Sequence, residues 1–179
     1  MRQLWQIPGK QFFQSRTADG LGFLASFGLV ILALWIQTRY QLEPCPLCIS
    51  QRIIFMLLGL AFLLTLIFRQ ACFAKPAVLL GLHGLQLLIA LSGCVVALRH
   101  WWLQAHKGQI WVDCGVGFDY MFDNFPLQKM LTLIFRGTGD CASIDWTLLG
   151  LSLPQLALIA YLLFGAYAVL LWVSRRHAV

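Results

Sequence analysis

Four long runs with almost no charge constrain this chain more than any other feature. Residues 20–38, 77–98 and 154–173 contain no Asp, Glu, Lys or Arg, and residues 47–68 contain only Arg52. About 20 apolar residues are needed to cross the hydrocarbon core of a bilayer. Each run is therefore long enough to span as a helix and too long for a strand of a membrane barrel. Of the 179 residues, 60% are hydrophobic and only 11% charged, which excludes an ordinary soluble domain. The expected fold is an all-α membrane protein: a four-transmembrane-helix bundle forming one membrane domain over 1–179. The net charge of +6 then reports orientation rather than a nucleic-acid partner.

Four spans place both termini on one side, together with the short turn near residues 69–76. That side carries Arg2, Lys10, Arg16, Arg69, Lys75, Arg175 and Arg176, whereas Arg39, Arg99, Lys107, Lys129 and Arg136 lie on the other. The excess of basic residues predicts cytoplasmic termini, with loops 39–46 and 99–153 outside. The first 18 residues mix Arg2, Lys10 and Arg16 with Trp5, Phe12 and Phe13, as a segment lying on a lipid surface does. The run that follows is too long for a signal peptide and is expected to be retained. Within the outer loop, Met130, Leu131, Leu133, Ile134 and Phe135 lie between Pro126 and Arg136-Gly137, predicting a short interfacial helix. Trp101, Trp102 and Trp111 suit the membrane–water boundary, and Pro154 suits the first turn of the last helix.

Six cysteines are present. Cys72 and Cys94 lie in or beside apolar runs, where cysteine packs as a small hydrophobe. Cys45, Cys48, Cys114 and Cys141 lie in polar, turn-rich surroundings on the expected outer side. Cys45 and Cys48 have the spacing of a redox pair at a helix start, where the helix N-terminus favours a negatively charged sulfur. Arg52, at i+4 from Cys48, adds a permanent positive charge on the same face. Snorkelling at a membrane boundary is the plain alternative for this arginine. A zinc knuckle is the alternative for the cysteines. It would need Cys114 and Cys141, whose separation is far longer than a second knuckle allows. Disulfide exchange needs only proximity in the fold and suits an oxidising outer compartment, so a redox role with no metal is the preferred reading. By themselves four cysteines allow three complete pairings.

Exchange moves electrons without disposing of them, and no glycine-rich strand–turn–helix suggests a nicotinamide or flavin. A lipid-soluble quinone reached from the bilayer beside Cys48 and Arg52 fits an apolar bundle, with Arg52 and His100 as candidate donors to its carbonyls. A lone histidine at an interface is more commonly a wet amphipathic residue. His83 and Gln86, at i and i+3 deep in the third span, are costly in lipid and are expected to bond between helices.

Several motifs occur in order along the chain. They are Pro44-Cys45-Pro46-Leu47-Cys48 with Arg52, then Ala97-Leu98-Arg99-His100 followed by Leu103-Gln104, then Cys114-Gly115 and Phe125-Pro126-Leu127. Gly137-Thr138-Gly139-Asp140-Cys141-Ala142, Trp146, Leu149-Gly150-Leu151 and Pro154 complete them. In these the chain resembles the bacterial disulfide-bond formation protein B (DsbB) family over nearly its whole length.

The resemblance implies a multi-pass inner-membrane enzyme with its cysteines on the periplasmic side, reoxidising a DsbA-like thioredoxin-fold dithiol oxidase. It implies the pairs Cys45–Cys48 and Cys114–Cys141. Cys114 would form the mixed disulfide with the partner, Cys141 would exchange with Cys45, and Cys48 would face the quinone as a thiolate in a charge-transfer complex. Arg52 and His100 would serve the quinone site, with ubiquinone as the acceptor and menaquinone replacing it anaerobically. Gln51 departs from members that carry an acid before the arginine, and Cys72 and Cys94 lie outside the family's redox set. Two readings compete: a vitamin K epoxide reductase-like enzyme running electrons the other way, and a membrane thiol or metal sensor.

Overall fold

The structure, a computed structural model, describes residues 16–42, 44–70, 76–106, 141 and 146–176. The expectations for the N-terminal basic segment, Cys72, Trp111, Cys114 and the interfacial helix lie outside the described residues. Four helices dominate: α1 (Arg16–Tyr40), α2 (Pro46–Gln70), α3 (Pro76–Ala105) and α4 (Leu153–Arg176). All four are long and apolar enough to cross a membrane, and the chain is a multi-pass helical membrane bundle. α3 runs on to Ala105, past the expected end of its span at residue 98, and so carries His100 inside regular helix.

Local chemistry sets the helix ends. At α1, Gln41 adopts φ 52° and the Leu42 N–H donates to the Gln37 carbonyl at 3.1 Å, the six-to-one bond of a Schellman stop. Cys45 caps α2: its carbonyl accepts the first helical bond, from Ile49 N–H at 3.1 Å, and Pro46 fills the first helical position, where no N–H is needed. A hairpin not foreseen from the sequence leads into α4. β1 (Thr147–Leu148) pairs antiparallel with β2 (Leu151–Ser152) across Leu149 and Gly150, at φ 54° and 81°, as a two-residue type I′ turn requires. Gln155 then reaches back to accept from the Ser152 N–H at 2.8 Å. This is half of a capping box at the helix start, with Pro154 inside the first turn.

Leu24, Ile31, Leu88 and Leu163 point outward, where lipid tails cost them nothing. Because lipid is as apolar as leucine, association of such helices rests on close packing and internal hydrogen bonds. Tyr161 of α4 shows both. Its ring stacks on Phe55 with centroids 4.1 Å apart, and its hydroxyl donates to the Gln51 carbonyl at 2.6 Å. Gly93 of α3 lets that ring in: a Cβ there would lie 2.3 Å from Tyr161 Cε1. Cys94 packs beside this core, as expected for a small hydrophobe.

At the bundle end away from Cys45, one buried polar network draws on all four helices. Asp19 Oδ2 accepts from Arg175 Nη2 at 2.8 Å and from Arg69 Nη1 at 3.3 Å. Arg175 Nη1 also donates to His83 Nε2, and His83 Nδ1 lies 2.8 Å from Gln86 Oε1. Gln86 Nε2 in turn donates to Thr65 Oγ1 at 2.9 Å. With Arg175 able only to donate, His83 Nε2 must be the acceptor and Nδ1–H the donor, so the imidazole is neutral. His83 and Gln86 thus bond between helices as expected. The Asp19–Arg175 pair that closes α1 onto α4 was not foreseen.

Removing one partner of a buried ion pair leaves the other charge uncompensated, at a cost of about 3 kcal/mol or more. Arg175→Leu is expected to lower unfolding stability in detergent by about that amount. The Asp19→Leu/Arg175→Leu double variant is expected to lose less than the two single losses added together. Strict additivity in a thermal or denaturant unfolding cycle would show that the pair does not couple the helices.

Candidate functional site: thiols at the start of α2

The cap of α2 is also its chemistry. The Cys48 N–H, one of the orphan donors of the first turn, points at Cys45 Sγ at 3.4 Å. A sulfur thereby occupies the place that a serine or aspartate oxygen takes in an ordinary N-cap. The same turn brings Cys45 Sγ within 3.2 Å of Cys48 Sγ. The two are thiols in contact, separated by a gap that disulfide formation would close to about 2.05 Å.

Tertiary structure adds the rest. His100 comes from the far end of α3, with Nε2 3.7 Å from Cys45 Sγ and Nδ1 3.4 Å from Gln51 Nε2. It is only 2% exposed, unlike the wet interfacial histidine that its sequence position suggests. It also hydrogen-bonds the backbone of Cys141. Cys141 is fully buried and packs with Cys45, Leu47 and Leu103. The fold therefore brings together Cys45, Cys48, His100 and Cys141. Hydrogen bonds to Cys141 and Cys48, together with burial, hold the Cys45 thiol far above the usual thiol range.

Arg52 turns towards α1, where its Nη1 donates to Gln37 Oε1. Both side chains line a small cavity that also touches Cys45, Cys48, His100 and Gln104, with Ile36 and Trp146 as apolar walls. Gln37, Gln104 and Trp146 were not singled out as site residues by sequence reasoning. Gln104 and Trp146 stood only within the motif pattern. A glutamine near a span boundary such as Gln37 is unremarkable until its partner is known. At the membrane boundary Trp101 and Trp102 are exposed as expected, and Trp102 faces the Arg99 guanidinium, 4.7 Å from the ring centroid.

A helical membrane bundle with thiols gathered at one buried polar mouth is a membrane thiol oxidoreductase by class. The comparisons agree with that class. The family model described as disulfide bond formation protein DsbB matches residues 15–171. The chain is 51% identical over 162 residues to a disulfide bond formation protein B of Methylobacillus flagellatus, covering 90% of this chain and 95% of the relative. It is 44% identical over 161 residues to a protein of the same name from Methylococcus capsulatus, covering 88% and 94%. For one from Hahella chejuensis the values are 39% over 161 residues, covering 90% and 95%. The chain belongs to the DsbB family.

Because the Cys45 thiol is pushed up, little of it is thiolate near neutral pH, and the thiolate is the reactive form. In the reduced protein iodoacetamide is expected to modify Cys48 well before Cys45 at pH 8, with the Cys45 rate still rising above pH 9. Peptide mass spectrometry along a time course would read both rates, and faster labelling of Cys45 would contradict the geometry.

Proposed function

We propose that this chain is a protein-dithiol:quinone oxidoreductase. It would reoxidise a DsbA-like thioredoxin-fold protein in the periplasm and pass the electrons to a quinone of the inner membrane. The observation that carries the reading is the burial of Cys141 against Cys45, which puts the outer-loop thiol against the cysteine it must attack.

In this relay Cys114 and Cys141 form one disulfide and Cys45 and Cys48 the other. A partner thiolate attacks Cys114, forming a mixed disulfide and releasing Cys141. The Cys141 thiolate attacks Cys45, a new Cys45–Cys141 bond forms, and Cys48 leaves as a thiolate. The second partner thiol then resolves the Cys114 mixed disulfide and releases the oxidised partner. The freed Cys114 thiolate attacks Cys141, re-forming the Cys114–Cys141 disulfide and releasing Cys45, so that Cys45 and Cys48 together hold the two electrons. The leaving role suits Cys48 better than Cys45. Cys48 sits in the first helical turn, where exposed N–H groups favour negative charge, and it shares a cavity with Arg52. Cys45, by contrast, is held as a thiol by its neighbours.

The cavity residues suit a quinone. Arg52, His100 and Gln104 supply polar groups, while Ile36 and Trp146 supply apolar walls. Beyond them an apolar groove continues past Leu29, Leu32 and Ala160 between α1 and α4, suited to an isoprenoid tail. A bound quinone would accept the two electrons; ubiquinone, or menaquinone without oxygen, is the proposed acceptor. Gln37 holds the Arg52 guanidinium towards the cavity, an arrangement that simple snorkelling into water does not need. Cytoplasmic termini and periplasmic loops complete the proposal, which follows the positive-inside balance.

Purified protein mixed with a reduced thioredoxin-fold partner and ubiquinone is expected to reduce the quinone, and Cys48→Ala to abolish that reduction. A wild-type protein that leaves the quinone oxidised would overturn the reading. Cys141→Ser is expected to accumulate a mixed disulfide between Cys114 and the partner, visible on a non-reducing gel. Arg52→Ala is expected to raise the KM for quinone about tenfold, roughly 1.4 kcal/mol, while thermal stability changes little. Equal losses in both would mark Arg52 as structural.

A further inference from the structure

Cys45 Sγ, a His100 ring nitrogen and Cys141 Sγ all lie within 4.8 Å of one another, and Cys48 Sγ stands 3.2 Å from Cys45 Sγ. These ligand atoms reach one point from separate stretches of backbone: the start of α2, the far end of α3 and residue 141. Cys45, His100 and Cys141 are buried, and none is more than 6% exposed. Disulfide exchange between Cys141 and Cys45 needs two sulfurs in line. It does not need an imidazole on the same centre.

We propose that the fully reduced chain binds a borderline-soft divalent cation of the Zn2+ class through Cys45, His100 and Cys141, with Cys48 completing a tetrahedral set, and that the bound ion blocks thiol exchange. Zinc takes thiolate at about 2.3 Å and imidazole at about 2.0–2.1 Å, so neighbouring ligands on one ion lie roughly 3.5–3.8 Å apart. The separations found here bracket that range. Small side-chain rotations, with no movement of a helix, bring Cys45, His100 and Cys141 onto one ion, and Cys48, in contact with Cys45, joins them by turning its Sγ towards it. Cys45 and Cys48 supply the chelate of a zinc knuckle. The other half of the set comes from tertiary contact, so the long separation of Cys141 from Cys114 does not matter. Gln51 Nε2 lies 3.4 Å from His100 Nδ1; for Nε2 to ligate, Nδ1 carries the proton, and the Gln51 amide turns over so that its oxygen accepts from Nδ1–H.

The charges balance. Three thiols lose their protons to solvent as the cation binds, no electron moves, and the complex of M2+ with three thiolates and a neutral imidazole carries −1. Arg52, lining the same cavity, supplies the opposite charge. Binding is confined to the reduced state, because a sulfur in a disulfide offers no thiolate. While the ion is held, Cys141 is a ligand and not a nucleophile. The site would therefore make the reduced protein sensitive to thiophilic cations, and its existence does not depend on the identity of the electron acceptor or of the protein partner.

The test uses the full chain in detergent, with Cys72, Cys94 and Cys114 changed to Ser, reduced and titrated with Co2+. One equivalent is expected to bind, with thiolate charge-transfer absorption and tetrahedral d–d bands. The Cys45–Cys48 disulfide form is expected to show neither. His100→Gln and Cys141→Ser are each expected to weaken binding about tenfold or more. Zinc-edge X-ray absorption of the same protein without those two changes, which removes any question of misfolding, is expected to show three sulfurs and one imidazole. Absence of binding, undiminished binding in His100→Gln or Cys141→Ser, or a zinc shell of two sulfurs without imidazole would each overturn the proposal.

Discussion

Inside a bilayer no water is present to satisfy a polar group, so every buried donor and acceptor must find its partner within the protein. Both ends of this bundle are organised by that constraint. At one end a carboxylate, two guanidinium groups, an imidazole and an amide bond in series across all four helices. At the other, the first amides of α2 need acceptors, and the one at Cys48 turns to the sulfur of Cys45. The arrangement that caps the helix is thus the arrangement that holds the two thiols in contact.

The space between the two ends is filled by packing. Gly93 admits the Tyr161 ring, and Tyr161 in turn ties α4 to the Gln51 carbonyl on α2. Gln51 carries this order up to the thiols, because its side chain meets His100, which faces Cys45. A single line of contacts therefore runs from the middle of the bundle to the redox mouth. The position of the histidine there is a property of the packed core more than of its own helix end.

Some of the site could be read directly from residue order. The Cys45–Cys48 spacing, Pro46 at the first helical position and Arg52 one turn further on are local features, and their consequences are local. Arg52 and Cys48 do share a cavity, as their i+4 spacing suggests. His100 was harder to read, because burial is not encoded at a single position. On a linear chain it follows an arginine and precedes two tryptophans, the signature of a wetted boundary. Gln37 and Asp19 were missed for a related reason. Each is one polar residue near the end of an apolar run, and only the arrival of Arg52 or Arg175 from another helix distinguishes a ligand of the bundle from a wet side chain. The hairpin at Thr147–Ser152 did have a local signal, a glycine turn followed by Ser152 and Gln155 in capping spacing. It was obscured by the length of the surrounding loop.

The sequence by itself determined the number of spanning helices, because apolar runs of that length have no other stable place in a bilayer. It also determined where α2 begins and that two thiols lie there, since spacing and capping act over one turn. Only the tertiary structure decided what those thiols face. Bringing His100 to Cys45, and Gln37 to Arg52, depends on how four nearly uniform apolar helices rotate about their axes. Lipid and protein interior are equally apolar, so hydrophobic pattern scarcely sets that rotation. It is set by the few buried polar groups and close glycine contacts whose partners lie far away along the chain.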